Sequence, residues 1–405
     1  MASQPVRVII NDRCLRNART GVGHYVCELL AALPGVDPGI ELLPFYRTYL
    51  RRGNSDKAAD GGESPQGDLH KKREIRPPIR PPDWLRRLLQ RGYETAFEAI
   101  GTWKRFRLYH EPNHIPGPWN GPVVTTIHDL SVLRYPEWHP LDRVRWYERD
   151  FLAALPRSAH FISVSEFTKR EMMQLLGIKE DRITTIPLGP RAIFHPRPAD
   201  AVRAWLAARG LPPEYLLFVG TMEPRKNIGG LLAAYARLPR EQQRRFPLLI
   251  VGGGGWAGRA GASPVLTLAE SIRRLGLTPD PHARFEPVHV LGYVSDEDLS
   301  WLYAGARALV WPTFYEGFGL PPLECMATGT PVITSRAASL PEVVGKAGLL
   351  VDPNNPEEIA ESMRRIIEDD HLAEDLARRG IARSKEFSWA RCAAAHAAIY
   401  RKYGT

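Results

Sequence analysis

Two carboxylates, Glu316 and Glu324, flank a glycine-rich turn in Phe314-Tyr-Glu-Gly-Phe-Gly-Leu-Pro-Pro-Leu-Glu324. The apolar run ending near Trp311 reads as a strand. A helix opens near Pro321, where proline is tolerated because first-turn N–H groups have no intrahelical partner. The N–H groups of Phe318, Gly319 and Leu320 can then face an anion, and the helix adds roughly half a positive charge there. Two carboxylates beside a phosphate alone would repel it. They make chemical sense if each accepts hydrogen bonds from hydroxyls, one set on a sugar and one on a ribose. Glu324 also fits as a favourable acid in the first helical turn, an explanation that does not serve Glu316.

After the run Tyr215–Val219 comes Gly220-Thr221-Met-Glu-Pro-Arg225-Lys226-Asn227. Arg225 and Lys226 can neutralise a diphosphate, the arginine through a forked contact and the lysine as a point charge. Near the amino terminus, Arg19-Thr-Gly21-Val-Gly23-His24 follows another apolar run, and its glycines let the backbone approach a phosphate or sugar closely. The third glycine of a dinucleotide fingerprint is missing, so a nicotinamide cofactor is not expected. His128 and Asp129 stand at the end of Val123–Ile127. A histidine there either serves the core or hydrogen-bonds a substrate hydroxyl or phosphate, with Asp129 orienting it. Asp296-Glu-Asp298 raises the question of a metal. It precedes Leu299, Leu302 and Tyr303 at helical spacing, with Ser295 in the capping position, so the expectation is a capped helix and no metal site. The spacing of His110, His114, His128 and His139 does not argue otherwise.

These residues need elements to hold them. From Val6–Ile10 onward, apolar β-rich runs alternate with helical patterns. Gly23 opens a helix carrying Tyr25, Leu29, Leu30 and Leu33, and Val123–Ile127 and Phe161–Val164 read as strands. A proline-rich stretch (Pro187, Pro190, Pro196, Pro198, Pro212, Pro213) interrupts the pattern. It restarts at Tyr215–Val219 and continues through Leu248–Val251, Val288–Leu291, Ala308–Val310, Pro331–Ile333 and Leu349–Val351. Near-continuous apolar strands between helices indicate parallel sheets covered on both faces. The expected fold class is α/β, in two units whose strand ends face a cleft, where ligands of such sheets bind. The units span 1–195 and 196–385, followed by a last helix in 386–405. Residues 53–68, almost without apolar side chains, read as a mobile loop.

With 405 residues, 44% of them hydrophobic and 24% charged, the chain can bury a large core without disulfide or metal. Its composition excludes a collagen-like, disordered or multi-span membrane protein. No apolar run nears the ~20 residues of a bilayer-spanning helix, and no signal peptide is expected from the first residues. Cys14, Cys27, Cys325 and Cys392 form no C-x-x-C pair and read as inert thiols of a reducing cytoplasm. The net charge of +9 is uneven: residues 47–107 hold 15 Lys/Arg against 8 Asp/Glu, with Trp84, Phe97, Trp103 and Phe106 interleaved. Such a segment is a solvated helix face or a surface for anionic lipid or a phosphorylated acceptor. No nucleic-acid motif accompanies it.

Taken together, the motifs resemble those of the family 4 retaining glycosyltransferases of GT-B fold, in which two Rossmann-like, doubly wound domains face a central cleft. The matching residues are Gly21-Val-Gly23, His110-Glu-Pro-Asn113, Ile127-His-Asp129, Val164-Ser-Glu-Phe-Thr168, Gly220–Asn227, Leu291-Gly-Tyr-Val294 and the Glu316/Glu324 pair, in that order. The likeness is to bacterial mannosyltransferase-like enzymes of O-antigen and exopolysaccharide synthesis. It implies transfer of a sugar, mannose favoured, from a nucleotide-sugar such as GDP-mannose to a saccharide or polyprenyl-linked saccharide. It further implies retention at the anomeric carbon, no metal and no cofactor.

The resemblance also distributes roles. Residues 1–195 would serve the acceptor and 196–385 the donor, with the last helix, in 386–405, crossing back to the first unit. Glu316, His128 and Lys226 would be catalytic. Lys226 would hold the donor diphosphate, Glu316 with the backbone of Gly317, Phe318, Gly319 and Leu320 the donor sugar, and Glu324 the ribose. Val294 would meet the base, Gly23 the phosphates, and His128 the transferred sugar. Thr221 and Arg225 would also bind the donor; many relatives carry arginine at the Thr221 position, and Arg225 is the candidate for that second charge. The enzyme would be cytoplasmic, peripheral on the inner membrane face through 71–107, with no nucleic-acid partner. A sugar-nucleotide epimerase of the same fold and a basic nucleic-acid- or lipid-binding protein are the competing readings.

Overall fold

Short runs of Val, Ile, Leu and aromatic residues, separated by helices, have two faces to bury and do so in parallel sheets. The computed structural model describes residues 5–16, 21–45, 83–254, 264–277 and 284–405. Its strands form two six-stranded sheets whose neighbours all pair in parallel. The first contains β1 (Val6–Ile10), β2 (Ile40–Pro44), β3 (Leu108–Glu111), β4 (Val123–Ile127), β5 (His160–Ser163) and β6 (Ile183–Thr185), in the order β2-β1-β3-β4-β5-β6. The second contains β7 (Leu216–Val219), β8 (Leu248–Val251), β9 (Val288–Gly292), β10 (Ala308–Trp311), β11 (Val332–Ser335) and β12 (Leu349–Val351), in the order β12-β11-β10-β7-β8-β9. This is the expected α/β class with two doubly wound sheets.

Chain order reverses between β1 and β3 in the first sheet and between β7 and β10 in the second. Crevices for ligands open at such points, outside the carboxyl ends of the strands. In the second sheet the segments leaving those two ends are residues 220–227 and 312–319, so the topology sets the basic motif beside the glycine-rich one.

Three strands escape an apolar reading. β3 carries His110 and Glu111, yet it lies centrally between β1 and β4. Its polar groups are buried and bonded: His110 pairs with Tyr400 through Nδ1 at 2.7 Å and with Thr126 through Nε2 at 2.9 Å. β2 and β6 are edge strands, and β6 is Ile-Thr-Thr.

The last helix, Trp389–Gly404, is capped by Ser388, whose hydroxyl accepts from the Arg391 N–H. Its buried face carries Cys392, His396 and Tyr400, and it packs on the first unit. His396 Nε2 lies 2.7 Å from the Tyr25 hydroxyl, and Arg401 donates to Asp37 at 2.6 Å. The linker crosses close to its start: a Cβ at Gly189 would sit 2.6 Å from the Ser388 carbonyl carbon. Helix Ala199–Ala208 already packs with the second unit, Trp205 stacking on Trp301 at 5.9 Å.

In the basic segment, helix Asp83–Trp103 buries Phe97 in a small aromatic core with Phe45, Phe106 and Tyr109, while Trp103 is exposed. The expected loop 53–68, Arg19, Thr20 and Lys71–Arg73 lie outside the described residues, as do the side chains of Trp84, Arg86 and Arg87. Among the described residues no helix is long and apolar enough to cross a membrane. The cysteines are unpaired, and burial pushes the Cys14 and Cys392 thiols up to about 12.

Candidate active site

Asn227 ties the two motifs of the second unit together. It adopts a left-handed backbone (φ 55°) and caps helix Ile228–Tyr235 by accepting from Gly230 N at 3.1 Å. Its Nδ2 donates to the carbonyls of Pro312 and Pro353 at 2.9 and 2.7 Å. The turn Pro224–Lys226 is thereby pressed against the loop that follows β10. Lys226 Nζ donates to Glu316 Oε1 at 2.6 Å, and Arg225 Nη1 donates to Glu316 Oε2 at 2.9 Å. Arg225 Nε also donates to Glu223 at 2.8 Å. Thr221 takes no part as a cation; its exposed hydroxyl donates to Glu223 at 2.6 Å.

Arg225 and Lys226, which the sequence offered as cations able to neutralise a diphosphate, are largely buried and paired with Glu316, and Arg225 with Glu223 as well. Burial and the neighbouring Arg225 push the Lys226 ammonium down, against the pull of Glu316 and Glu223. Burial also disfavours the Arg225 charge, but Glu316, Glu223 and Asp129 outweigh it and hold the guanidinium firmly protonated. An anion entering here competes with Glu316 for its cations.

The loop itself is wound tightly. Ser339 Oγ lies 2.9 and 2.7 Å from the carbonyls of Glu316 and Phe318. Gly319 has φ 117° and precedes helix Leu320–Ala327, whose start has no side-chain cap. A side chain at Gly319 would be strained there, and its Cβ would lie 2.8 Å from Leu340. Glu324 is not in the first turn of this helix, as expected from Pro321, but one turn further on. It is buried, and Arg191 Nε donates to its Oε1 at 2.8 Å. Burial lifts the Glu324 carboxyl to about 7 even with Arg191 opposing it.

From the first unit, His128 leaves the end of β4. Its Nε2 donates to the Pro112 carbonyl at 2.8 Å, its N–H donates to His114 Nε2 at 3.2 Å, and the Tyr25 ring meets it edge-on at 5.0 Å. This fixes the tautomer and leaves Nδ1 as an acceptor. Burial keeps the ring neutral. Burial likewise disfavours charge on Asp129, but Arg225 across the cleft, His114 and the Ser131 hydrogen bonds hold its carboxyl below the usual range.

The two units touch at this point. A Cβ on Gly317 would overlap the His128 carbonyl oxygen. Thr168 Oγ1 donates to the Gly317 carbonyl at 3.2 Å, so the Val164–Thr168 motif has an evident task. The Tyr315 hydroxyl accepts from Leu130 N at 3.1 Å and donates to Glu171. Glu342 accepts from the N–H groups of Glu166 and Phe167, both at 3.1 Å, at the start of the first unit's helix Glu166–Leu176. The cleft is closed over the loop.

The expected residues thus divide between two neighbouring places. Arg225, Lys226, Glu316, Gly317, Phe318, Gly319, Leu320 and His128 surround the meeting point of β4, β7 and β10. Glu324 lies beside a second cluster in which Arg191 Nη1 donates to Asp296 at 2.8 Å and lies 3.1 Å from His24 Nδ1. Gly23 and Val294 border that cluster through His24 and Asp296, and both are buried. Asp296-Glu-Asp298 opens helix Asp296–Gly305 with Ser295 as cap, accepting from Asp298 N at 3.0 Å, as the spacing suggested. Sequence reasoning did not find Arg191, Tyr315, Glu171 or Glu342. Tyr315 adjoins Glu316, and that position alone pointed to it.

Residues 207–383 match the family Glycosyl transferases group 1, and residues 19–190 match Glycosyltransferase Family 4. The chain is 36% identical over 400 residues to the O-antigen chain mannosyltransferase B of Escherichia coli, covering 96% of this chain and 97% of that protein. It is 31% identical over 285 residues to the serotype-specific mannosyltransferase WbdA of Escherichia coli, covering 70% of this chain and 33% of that one. In structure it resembles a sucrose-phosphate synthase from Thermosynechococcus elongatus (TM-score 0.71, 21% identity, 98% of both chains). It also resembles WaaG, a glycosyltransferase involved in lipopolysaccharide biosynthesis (TM-score 0.67, 14% identity, 98% of this chain and 99% of that one).

Proposed function

The chain belongs to the family 4 glycosyltransferases, and on that premise we propose that it transfers mannose from a nucleotide-sugar, GDP-mannose first, to a growing cell-surface polysaccharide. The observation that carries this reading is the meeting of the Lys226–Glu316 pair, the wound loop 316–320 and His128 at one closed point of the cleft. A sugar diphosphate has the groups to satisfy all three. Its phosphates take the cations and the loop N–H groups, and its hydroxyls take Glu316 and the open nitrogen of His128. The full-length likeness to an O-antigen chain mannosyltransferase supports the sugar and the acceptor class, a saccharide or a polyprenyl-linked saccharide.

In this reading the bond from the anomeric carbon to the donor phosphate breaks, and the acceptor oxygen bonds to that carbon on the same face. The departing phosphate oxygen takes the acceptor's proton, so configuration is retained without an enzymatic nucleophile. Positioning and fixed charge supply the rate. Arg225, Lys226 and the loop N–H groups can neutralise the leaving group themselves, which supports a reaction without metal or other cofactor. The capped, ion-paired Asp296-Glu-Asp298 supports the same view. The enzyme would work in the cytoplasm on the inner membrane face. Exposed Trp103, with Lys104 4.1 Å over its ring, gives helix Asp83–Trp103 an amphipathic end suited to that surface.

The test is thermal melting with GDP, UDP, dTDP and ADP, in EDTA, on the wild type and Lys226→Ala. A ligand at 100 times its Kd stabilises by about 2.7 kcal/mol. GDP should raise the wild-type melting temperature and do so far less in the variant. If none of the four shifts it, the transferase reading of this site fails. If GDP-mannose is converted without acceptor, the epimerase replaces it.

A further inference from the structure

We propose that Arg191 is a positioning residue that holds Glu324 aimed at a ribose diol and so sets the preference for a ribonucleotide donor. The inference rests on the nucleotide-sugar reading above and goes beyond it by naming what prepares the second carboxylate. Arg191 sits in the linker between the two units, directly after Pro190, and is 8% exposed. Its guanidinium is fully committed in direction. Nε donates to Glu324 Oε1 and Nη1 to Asp296 Oδ2, each at 2.8 Å, while the group stacks over Phe194 at 4.6 Å. A planar fork held at three places fixes the partner carboxylate as a mobile lysine would not. It engages one oxygen of Glu324, so the other is the one offered to ribose hydroxyls.

The surroundings explain why a cation is needed there. Glu324 is buried on its own helix and faces Asp296 on one neighbouring helix and Glu28 on the helix Gly21–Val36, both of which disfavour its charge. Tyr303 is buried near it, and His24 completes the ring around Arg191. Arg191 is the opposing cation among these groups. Without it, two acids and the burial act together, and Glu324 stays protonated at neutral pH. A neutral carboxyl loses the charge-assisted bonds that a diol would make to it. The linker position adds a consequence: the residue that prepares the nucleotide site of one unit is anchored between both.

The experiment compares GDP with 2′-deoxy-GDP by calorimetric titration at pH 7 and pH 9, using wild type, Arg191→Gln and Arg191→Lys. The wild type should favour the ribonucleotide by about tenfold or more at both pH values, on the scale of one charge-assisted hydrogen bond. Arg191→Gln should bind 2′-deoxy-GDP within about threefold of wild type yet lose most of the preference at pH 7. It should regain part of the preference at pH 9, where the higher pH favours the carboxylate. Arg191→Lys keeps the charge but not the fork and should keep only part of the preference, equally at pH 7 and pH 9, which preserves the test if the glutamine variant does not fold. A merely structural arginine predicts equal weakening for both nucleotides and no recovery at pH 9. That result, or an unchanged preference in Arg191→Gln, refutes the role of Arg191 and leaves the nucleotide reading standing. Failure of the wild type to bind GDP at all refutes the reading beneath it.

Discussion

Gly317→Ala tests whether the closed cleft is the working one. Gly317 does not have a left-handed backbone, so alanine is not excluded by conformation. The obstacle is the other unit. The new Cβ would overlap the His128 carbonyl oxygen and lie 2.7 Å from its carbon and 2.9 Å from Asp129 Cβ. Carbon atoms pack at about 3.5–4.0 Å, so the loop and the His128 segment must part by about 1 Å. Neither side can yield locally. His128 is tied at 2.8 Å to the Pro112 carbonyl and at 3.2 Å to His114, and the loop is held by Ser339 at 2.7 and 2.9 Å.

The separation therefore falls on contacts between the units, among them Thr168 to Gly317, Leu130 to Tyr315 and Phe167 to Glu342, which are 3.2, 3.1 and 3.1 Å long. Each is worth about 0.5–1.5 kcal/mol net. Losing all three disfavours closure by about 1.5–4.5 kcal/mol, a factor of roughly 10 to 10³. A 1 Å misplacement alone costs about 10² in rate. The kcat of transfer should fall at least about 10²-fold, while GDP binds within about fivefold, because most proposed donor contacts belong to the second unit. The two sheet cores are untouched, and melting should shift little. Small-angle scattering of the variant with GDP should show a larger radius of gyration than the wild type. A kcat within threefold of wild type, with identical scattering, would show that chemistry does not require this approach.

Two further outcomes follow from the same geometry. Tyr315→Phe removes the hydroxyl that joins Leu130 N to Glu171 and leaves a buried acid without its donor; urea unfolding should report a loss of about 1–3 kcal/mol, and an unchanged midpoint would mean the lock is idle. Glu324 holds a proton in the folded state up to about 7, while its ordinary value is 4.5. Between those values the folded chain binds more protons than the unfolded one, so this group's contribution to stability declines as pH rises from about 4.5 to 7 and is level above. GDP affinity should climb as pH rises through about 7, where the folded chain's carboxylate ionises. Glu324→Gln should flatten both dependences, and parallel curves for variant and wild type would count against the assignment.

What the sequence made legible was local. A glycine, a charge and a strand end within ten residues survive without any knowledge of the fold, so Gly220–Asn227, Glu316–Leu320 and His128 could be read directly, and so could the Ser295 cap. Apolar periodicity found the central strands but not β3, because His110 and Glu111 are buried by virtue of partners far along the chain, Tyr400 among them. The same limit hides a counter-ion. Arg225 and Lys226 were legible as cations, but not that Glu316, some 90 residues on, already holds both. Arg191 lay in a proline-rich linker with nothing nearby to mark it, although it touches the helices that begin at Gly21, Asp296 and Leu320. These long-range pairings have a common sense. The isolated buried cations that a diphosphate would need are expensive to keep desolvated. In the proposed reading, Glu316 as their counter-ion would store them at low cost until an anion with the right shape replaced it, and the displaced carboxylate would then lie beside the sugar whose hydroxyls can satisfy it. One residue would thus serve as placeholder and as ligand, which accounts for an acid beside an anion site more fully than either role alone.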